Sequence, residues 1–151
     1  MSDMTDVDEI LDFAIKNEQD AVDLYTGLAA TAKSASIKKA FEQFAGEEAG
    51  HRKRLEEVKN GKRLLGSAKA IQDLKLSDYL VETELGDKPD YQDVLIFAMH
   101  QEKAAFRLYS ALAAKAVEAD LQQLFAELAQ EEAKHKLRFE VEYDENILAE
   151  N

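Results

Sequence analysis

Glu18, Tyr25, Glu48 and His51 return 84 positions later as Glu102, Tyr109, Glu132 and His135, with no insertion between the two copies. Laying residues 8–58 over 92–142 gives about 20 identities in 51 positions, which is an internal repeat and means that one supersecondary unit is built twice. Phe13/Phe97, Leu24/Leu108, Leu28/Leu112, Phe41/Phe125 and Glu47/Glu131 are among the matched pairs. The punctuation repeats as well. Asp6 matches Asp90 and Ser36 matches Asp120, all types whose side chains accept hydrogen bonds from the free N–H groups that open a helix. Each copy therefore reads as one helical hairpin.

Apolar residues recur at spacings of three and four, which predicts four long helices. The first, from about Val7 to Lys33, lines up Leu11, Ala14, Ile15, Ala21, Val22, Leu28 and Ala29, with Glu18 and Tyr25 on the same stripe. In the second, about Ile37 to Lys59, Phe41, Phe44, Ala45, Leu55 and Val58 are interrupted by Glu48 and His51, and Asn60-Gly61 supplies a stop. The third, about Tyr91 to Val117, places Leu95, Ala98, Met99, Ala105, Phe106, Leu112 and Ala113 around Glu102. The fourth starts near Leu121, runs into the 140s, and sets Phe125, Leu128, Ala129 and Phe139 around Glu132 and His135. One proline and six glycines in 151 residues leave such helices uninterrupted.

Short links near Ser34–Ser36 and before Asp120 make both pairs antiparallel. The connection from about Gly61 to Pro89 is far longer than a tight turn and carries Leu64, Leu65, Ile71, Leu74, Leu76, Tyr79, Leu80 and Val81. A helix of about 25 residues is roughly 37 Å long, a span such a connection can cross. The expectation is an all-α four-helix bundle with a long crossover between helices two and three. It occupies one domain over 1–151, with repeat halves at about 6–60 and 90–144 and the crossover at about 61–89.

Glu18 lies about 16 residues before the first hairpin turn and the Glu48/His51 pair about 15 after it, so all three sit at one depth, and the second copy repeats the arithmetic. Four carboxylates on core-facing stripes would each cost several kcal/mol to bury unpaired. No Lys or Arg lies on these stripes at that level, so the balancing charge is expected to be metal. Residues three apart on a helix face one way, so Glu48 with His51, and Glu132 with His135, can each bind one ion while the glutamate bridges toward the other. Glu18 and Glu102 then act as terminal ligands, the pattern of di-iron and di-manganese carboxylate bundles. Oxygen donors with one imidazole per metal suit iron or manganese, with zinc able to enter on affinity. Tyr25 and Tyr109, two turns along, are candidate hydrogen-bond donors to the ligands, or core filling. Glu47 and Glu131 also repeat and are alternative ligands, although the rotation of the helix turns them toward solvent. His100, about 200° around the helix from Glu102, is expected in a solvent or packing role.

These residues, in the segments NEQDAVDLY, EEAGH, QEKAAFRLY and EEAKH, resemble the ferritin-like domain of the rubrerythrin family over most of the chain. The resemblance implies a non-haem di-iron centre, a homodimer, and reduction of hydrogen peroxide or dioxygen. The chain lacks the cysteine-rich rubredoxin module of longer family members, which implies an external electron donor such as rubredoxin. It also has Ala105 where rubrerythrins proper carry a further glutamate. Two alternatives stand beside this reading: a ferritin-like iron-binding or ferroxidase protein, and a structural module stapled by metal.

A formal charge of −12 repels nucleic acid and offers no basic stripe for an anionic membrane. No apolar run nears the roughly 20 residues of a membrane span, and the start lacks a signal-peptide pattern, so a cytoplasmic location is expected. The absence of cysteine excludes disulfides, thiol catalysis and iron–sulfur ligation by this chain.

Overall fold

A computed structural model describes residues 6–63, 65–81 and 84–146. Leu64, counted above among the apolar residues of the crossover, lies outside them. The chain divides into two compact units, Met1–Leu74 and Lys75–Asn151, and each holds one copy of the repeat. Among the described residues all regular structure is helical.

The first unit consists of α1 (Val7–Ala30), α2 (Ala35–Asn60) and a short α3 (Ala68–Asp73). Asp6 opens α1 by accepting the Glu9 N–H at 2.8 Å, as expected for a carboxylate in that position. The opening of α2 differs from expectation, because the cap is Ser34, which accepts the Ile37 N–H at 3.1 Å, and Ser36 lies inside the first turn. Two serines two residues apart can both cap, and the shorter link selects the earlier one. α1 correspondingly ends three residues before Lys33, where the Thr31 hydroxyl turns back onto the Gly27 carbonyl at 3.3 Å. The two helices pack along their length. Ile10, Leu11, Ala14, Ala21, Tyr25, Leu28 and Ala29 of α1 are buried, with Phe41, Leu55 and Val58 of α2, while Ile15 and Val22 are only half-buried. Each buried leucine-sized side chain contributes about 1.5–3 kcal/mol. Phe44 meets both Tyr25 and Phe41 edge-on, at 6.2 and 6.5 Å between ring centres.

α2 stops at Asn60 as predicted, but the left-handed residue is Lys62, at φ 52°, and not Gly61, at φ −77°. A side chain at 61 would fit tightly, since a β carbon there would come within 3.3 Å of the Glu57 carbonyl oxygen. Beyond the turn, Leu65, Ile71 and Leu74 are buried, and Ser67 caps α3.

The second unit begins with a 3-10 turn (Leu76–Tyr79) and continues with α4 (Tyr91–Lys115) and α5 (Ala119–Asn146). Asp90 and Asp93 cap α4 reciprocally, each carboxylate accepting the other's backbone N–H, at 2.8 and 3.3 Å. α5 starts two residues earlier than expected, so Asp120 lies in its first turn, where a negative charge favours the helix dipole. Leu95, Ala98, Leu108, Tyr109 and Leu112 of α4 are buried, with Leu121, Phe125, Leu128, Ala129 and Phe139 of α5. Tyr109 stacks on Phe125 with ring centres 6.4 Å apart. Phe106, expected in this core, is 40% exposed. At 3.6 residues per turn it falls roughly 60–80° away from the centre of the stripe formed by Ala98 and Tyr109.

No helix among the described residues is long and apolar enough to cross a membrane.

Candidate metal centre

Each unit brings its own Glu, Glu and His together on the inner faces of its two long helices. In the first, Glu18 projects from the middle of α1, and Glu48 and His51 project from neighbouring turns of α2. These residues are 1%, 1% and 2% exposed. His51 Nδ1 stands 3.5 Å from Glu18 Oε2 and 3.5 Å from Glu48 Oε1. One donor atom from each of the three lies within 4.8 Å of the others.

The second unit repeats the arrangement. Glu102 from α4 and Glu132 and His135 from α5 are each 1% exposed, their donor atoms again fall within 4.8 Å of one another, and His135 Nδ1 is 3.7 Å from Glu102 Oε2. All six residues singled out from the sequence are therefore buried and grouped in threes. Glu47 and Glu131 are half-buried, and Glu47 accepts a hydrogen bond from Gln43 at 3.2 Å along its own helix. His100 is exposed.

Burial first, and the adjacent Glu48 carboxylate second, push Glu18 from 4.5 up to about 8. The metal-free triad thus holds a proton near neutrality, because two carboxylates this close in an apolar surround resist ionising together.

The donor set fits a divalent ion. Donors about 2.1 Å from a metal, at tetrahedral or octahedral angles, stand about 3.0–3.4 Å from each other. The observed 3.5, 3.5 and 3.7 Å exceed the usual 2.7–3.2 Å of a hydrogen bond and approach that edge length. Two carboxylates and one imidazole are hard to borderline ligands, which suit iron, manganese or zinc.

Tyr25 and Tyr109 are 0% and 1% exposed, packed against Phe44 and Phe125 respectively. They line the inner faces two turns from Glu18 and Glu102.

One buried acid was not foreseen. Glu142, 3% exposed, accepts a hydrogen bond from the Tyr91 hydroxyl at 2.8 Å. Burial, and then Glu142, hold the Tyr91 phenol well above its usual range. The signal was its place on the α5 stripe, three residues beyond Phe139. The repeat hid it, because its counterpart is Val58, also buried.

Compared with known families, residues 9–143 match the family described as Rubrerythrin. Neither a curated protein nor a solved structure matches the chain.

Proposed function

The chain belongs to the rubrerythrin family, and on that premise we propose that it is a two-iron carboxylate protein that reduces hydrogen peroxide or dioxygen with electrons from a separate donor such as rubredoxin. Membership makes the fold the all-α, ferritin-like class expected from the sequence. The observation that carries the functional reading is the pair of equivalent buried triads, Glu18/Glu48/His51 and Glu102/Glu132/His135, each able to take one divalent ion.

Two carboxylates and a neutral imidazole balance one doubly charged cation, so each triad loses its internal repulsion on loading. Glu18 surrenders its proton as the ion enters, and His51 and His135 present Nδ1 in the neutral form. When bound, two ferrous ions supply one electron each, the pair that with two protons converts hydrogen peroxide to two waters. Phe41, Phe44, Phe125 and Phe139 keep the surround apolar, which strengthens every charge interaction at the ligands. Tyr25 and Tyr109 are proposed to orient the ligand carboxylates through their hydroxyls. Manganese would be held by the same donors, and zinc would fill the site without redox chemistry. A cytoplasmic homodimer belongs to the same proposal.

The formal charge of −12 favours a second reading, in which the centre oxidises iron drawn to an acidic surface. Anaerobic Fe(II) loading separates them. Two irons per chain, oxidised by peroxide much faster than free iron and re-reducible for many turnovers, are the expected result. Continued uptake far beyond two would mark iron handling instead. Failure to bind two irons, or oxidation no faster than in buffer, refutes both.

A further inference from the structure

The outward side of the second hairpin departs from its duplicate. Along α4 and α5, Lys103, Phe106 and Arg107 face Lys136 and Leu137 across a groove of about 420 Å³. Phe106 is 40% and Leu137 60% exposed, and Val141, one turn further along α5, is 36% exposed. A second hollow of about 300 Å³ shares Lys103 and Arg107 and extends the surface to Leu80, itself 58% exposed. Arg107 lies over the Tyr79 ring at 5.9 Å, which fixes its guanidinium at the junction. All the large apolar side chains exposed among the described residues lie in this unit.

The matching positions of the first hairpin are Gln19, Val22, Asp23, Arg52 and Lys53. There the polar groups satisfy each other: Gln19 donates to Asp23 at 3.0 Å, Arg52 donates to Gln19, and Arg52 pairs with Glu56 at 3.4 Å. In the second hairpin Asp23 has become Arg107, Gln19 has become Lys103 and Lys53 has become Leu137. A balanced face has turned into an apolar strip rimmed by three cations, with two anions beside them, Glu140 next to Lys136 and Asp78 in the second hollow. This occurs on a chain whose net charge is −12.

We propose that this face docks an acidic protein, and that the partner is the small iron–sulfur protein that supplies electrons to the centre. Charge selects the occupant. A second copy meeting the same face across a twofold axis would oppose lysine and arginine with lysine and arginine, which disfavours that pairing. Carboxylates around an apolar contact would instead match both the rim and the strip. Position supplies the purpose, because Lys103 follows Glu102, Ala133 follows Glu132 and Lys136 follows His135 in the chain. A partner seated here is separated from those ligands by about one helix width, roughly 10 Å. Each encounter passes one electron from the reduced partner, so two encounters restore the pair spent on each peroxide.

The purpose rests on the redox function proposed above, whereas the docking does not, so the two can fail separately. Oxidised rubredoxin serves as the acidic probe, titrated into the full-length metal-free chain and followed by calorimetry and by amide shifts. Binding is expected to weaken about tenfold in Arg107→Glu and again on raising salt, with shifts centred on residues 103–107 and 133–141. Asp23→Arg on the equivalent face is expected to leave it unchanged. Circular dichroism confirms that each variant is folded. The proposal is overturned if rubredoxin does not bind, if Arg107→Glu binds as the parent does, if the shifts map to α1 and α2, or if Leu137→Glu splits a native dimer. Binding that follows the expected pattern in a chain with no iron turnover leaves the docking standing and removes only its purpose.

Discussion

Stripping the metal and raising the pH should destabilise this protein, and Glu18 sets both the sign and the size. Its carboxyl is raised from 4.5 to about 8 in the metal-free fold, by burial first and by Glu48 second. Folding therefore favours the protonated form. The contribution is fully present below pH 4.5, declines as the pH rises toward 8, and is lost above that. The difference of 3.5 units (8 − 4.5), at about 1.4 kcal/mol per unit, gives an upper bound of roughly 5 kcal/mol. For a chain of this length that corresponds to a fall in melting temperature on the order of 10–20 °C. Other groups titrate over the same range, so the comparison is with Glu18→Gln, which keeps the shape and removes the titration. Thermal melts by circular dichroism in chelator, from pH 4.5 to 8.5, should show the parent losing stability relative to Glu18→Gln, and one equivalent of Zn(II) or Fe(II) per triad should reverse the loss. A parent-to-variant difference that stays flat or grows in favour of the parent as pH rises would refute the account of Glu18 as a carboxyl held neutral until metal arrives.

His51→Ala and His135→Ala should each reduce bound metal from two ions per chain to about one, as measured by elemental analysis after anaerobic loading, because each removes the only imidazole of its triad. Phe125→Ala, emptying a fully buried site against Tyr109, should cost about 3–5 kcal/mol in urea titrations. Ser34→Ala should cost about 1 kcal/mol, whereas Ser36→Ala, inside the helix, should cost much less. Tyr91→Phe takes the hydroxyl from a buried carboxylate and should destabilise the second hairpin by roughly 1–3 kcal/mol, read from hydrogen exchange in α4 and α5.

The triads were legible because two rules collide at those positions: a stripe that must be apolar to pack carries Glu18, Glu48 and His51, and the chain makes the same exception 84 residues later. Helix boundaries were less legible. Ser34 and Ser36 are equally good caps by chemistry, and only the geometry of the link chooses between them. Asn60-Gly61 announced a stop, but it is Lys62, at φ 52°, and not the glycine that takes the left-handed turn. Phe106 and Glu142 were misjudged or missed for opposite reasons. Periodicity assigned an apolar residue at the edge of a stripe to the core, and it offered no way to single out one more acid among 31 acidic residues.

A duplicated hairpin starts with identical inner and outer faces, so what has since diverged shows where the constraint differs. The inner residues that hold charge, Glu18/Glu102, Glu48/Glu132 and His51/His135, are unchanged, because losing any one would leave the others buried without balance. The outer residues have no such coupling. Asp23 and Arg107 occupy the same position, yet the first is tied into a local network with Gln19 and the second sits at the rim of an exposed apolar strip. Had the exchanges been neutral surface drift, exposed apolar side chains would be scattered over both copies. Among the described residues the exposed large apolar side chains, Leu80, Phe106, Val117, Leu137 and Val141, instead all occur in one unit, and Phe106 and Leu137 line the groove with Lys103, Arg107 and Lys136. The repeat thus kept two matching sets of buried charged residues inside, while the large apolar side chains exposed among the described residues all lie in the unit of the second copy.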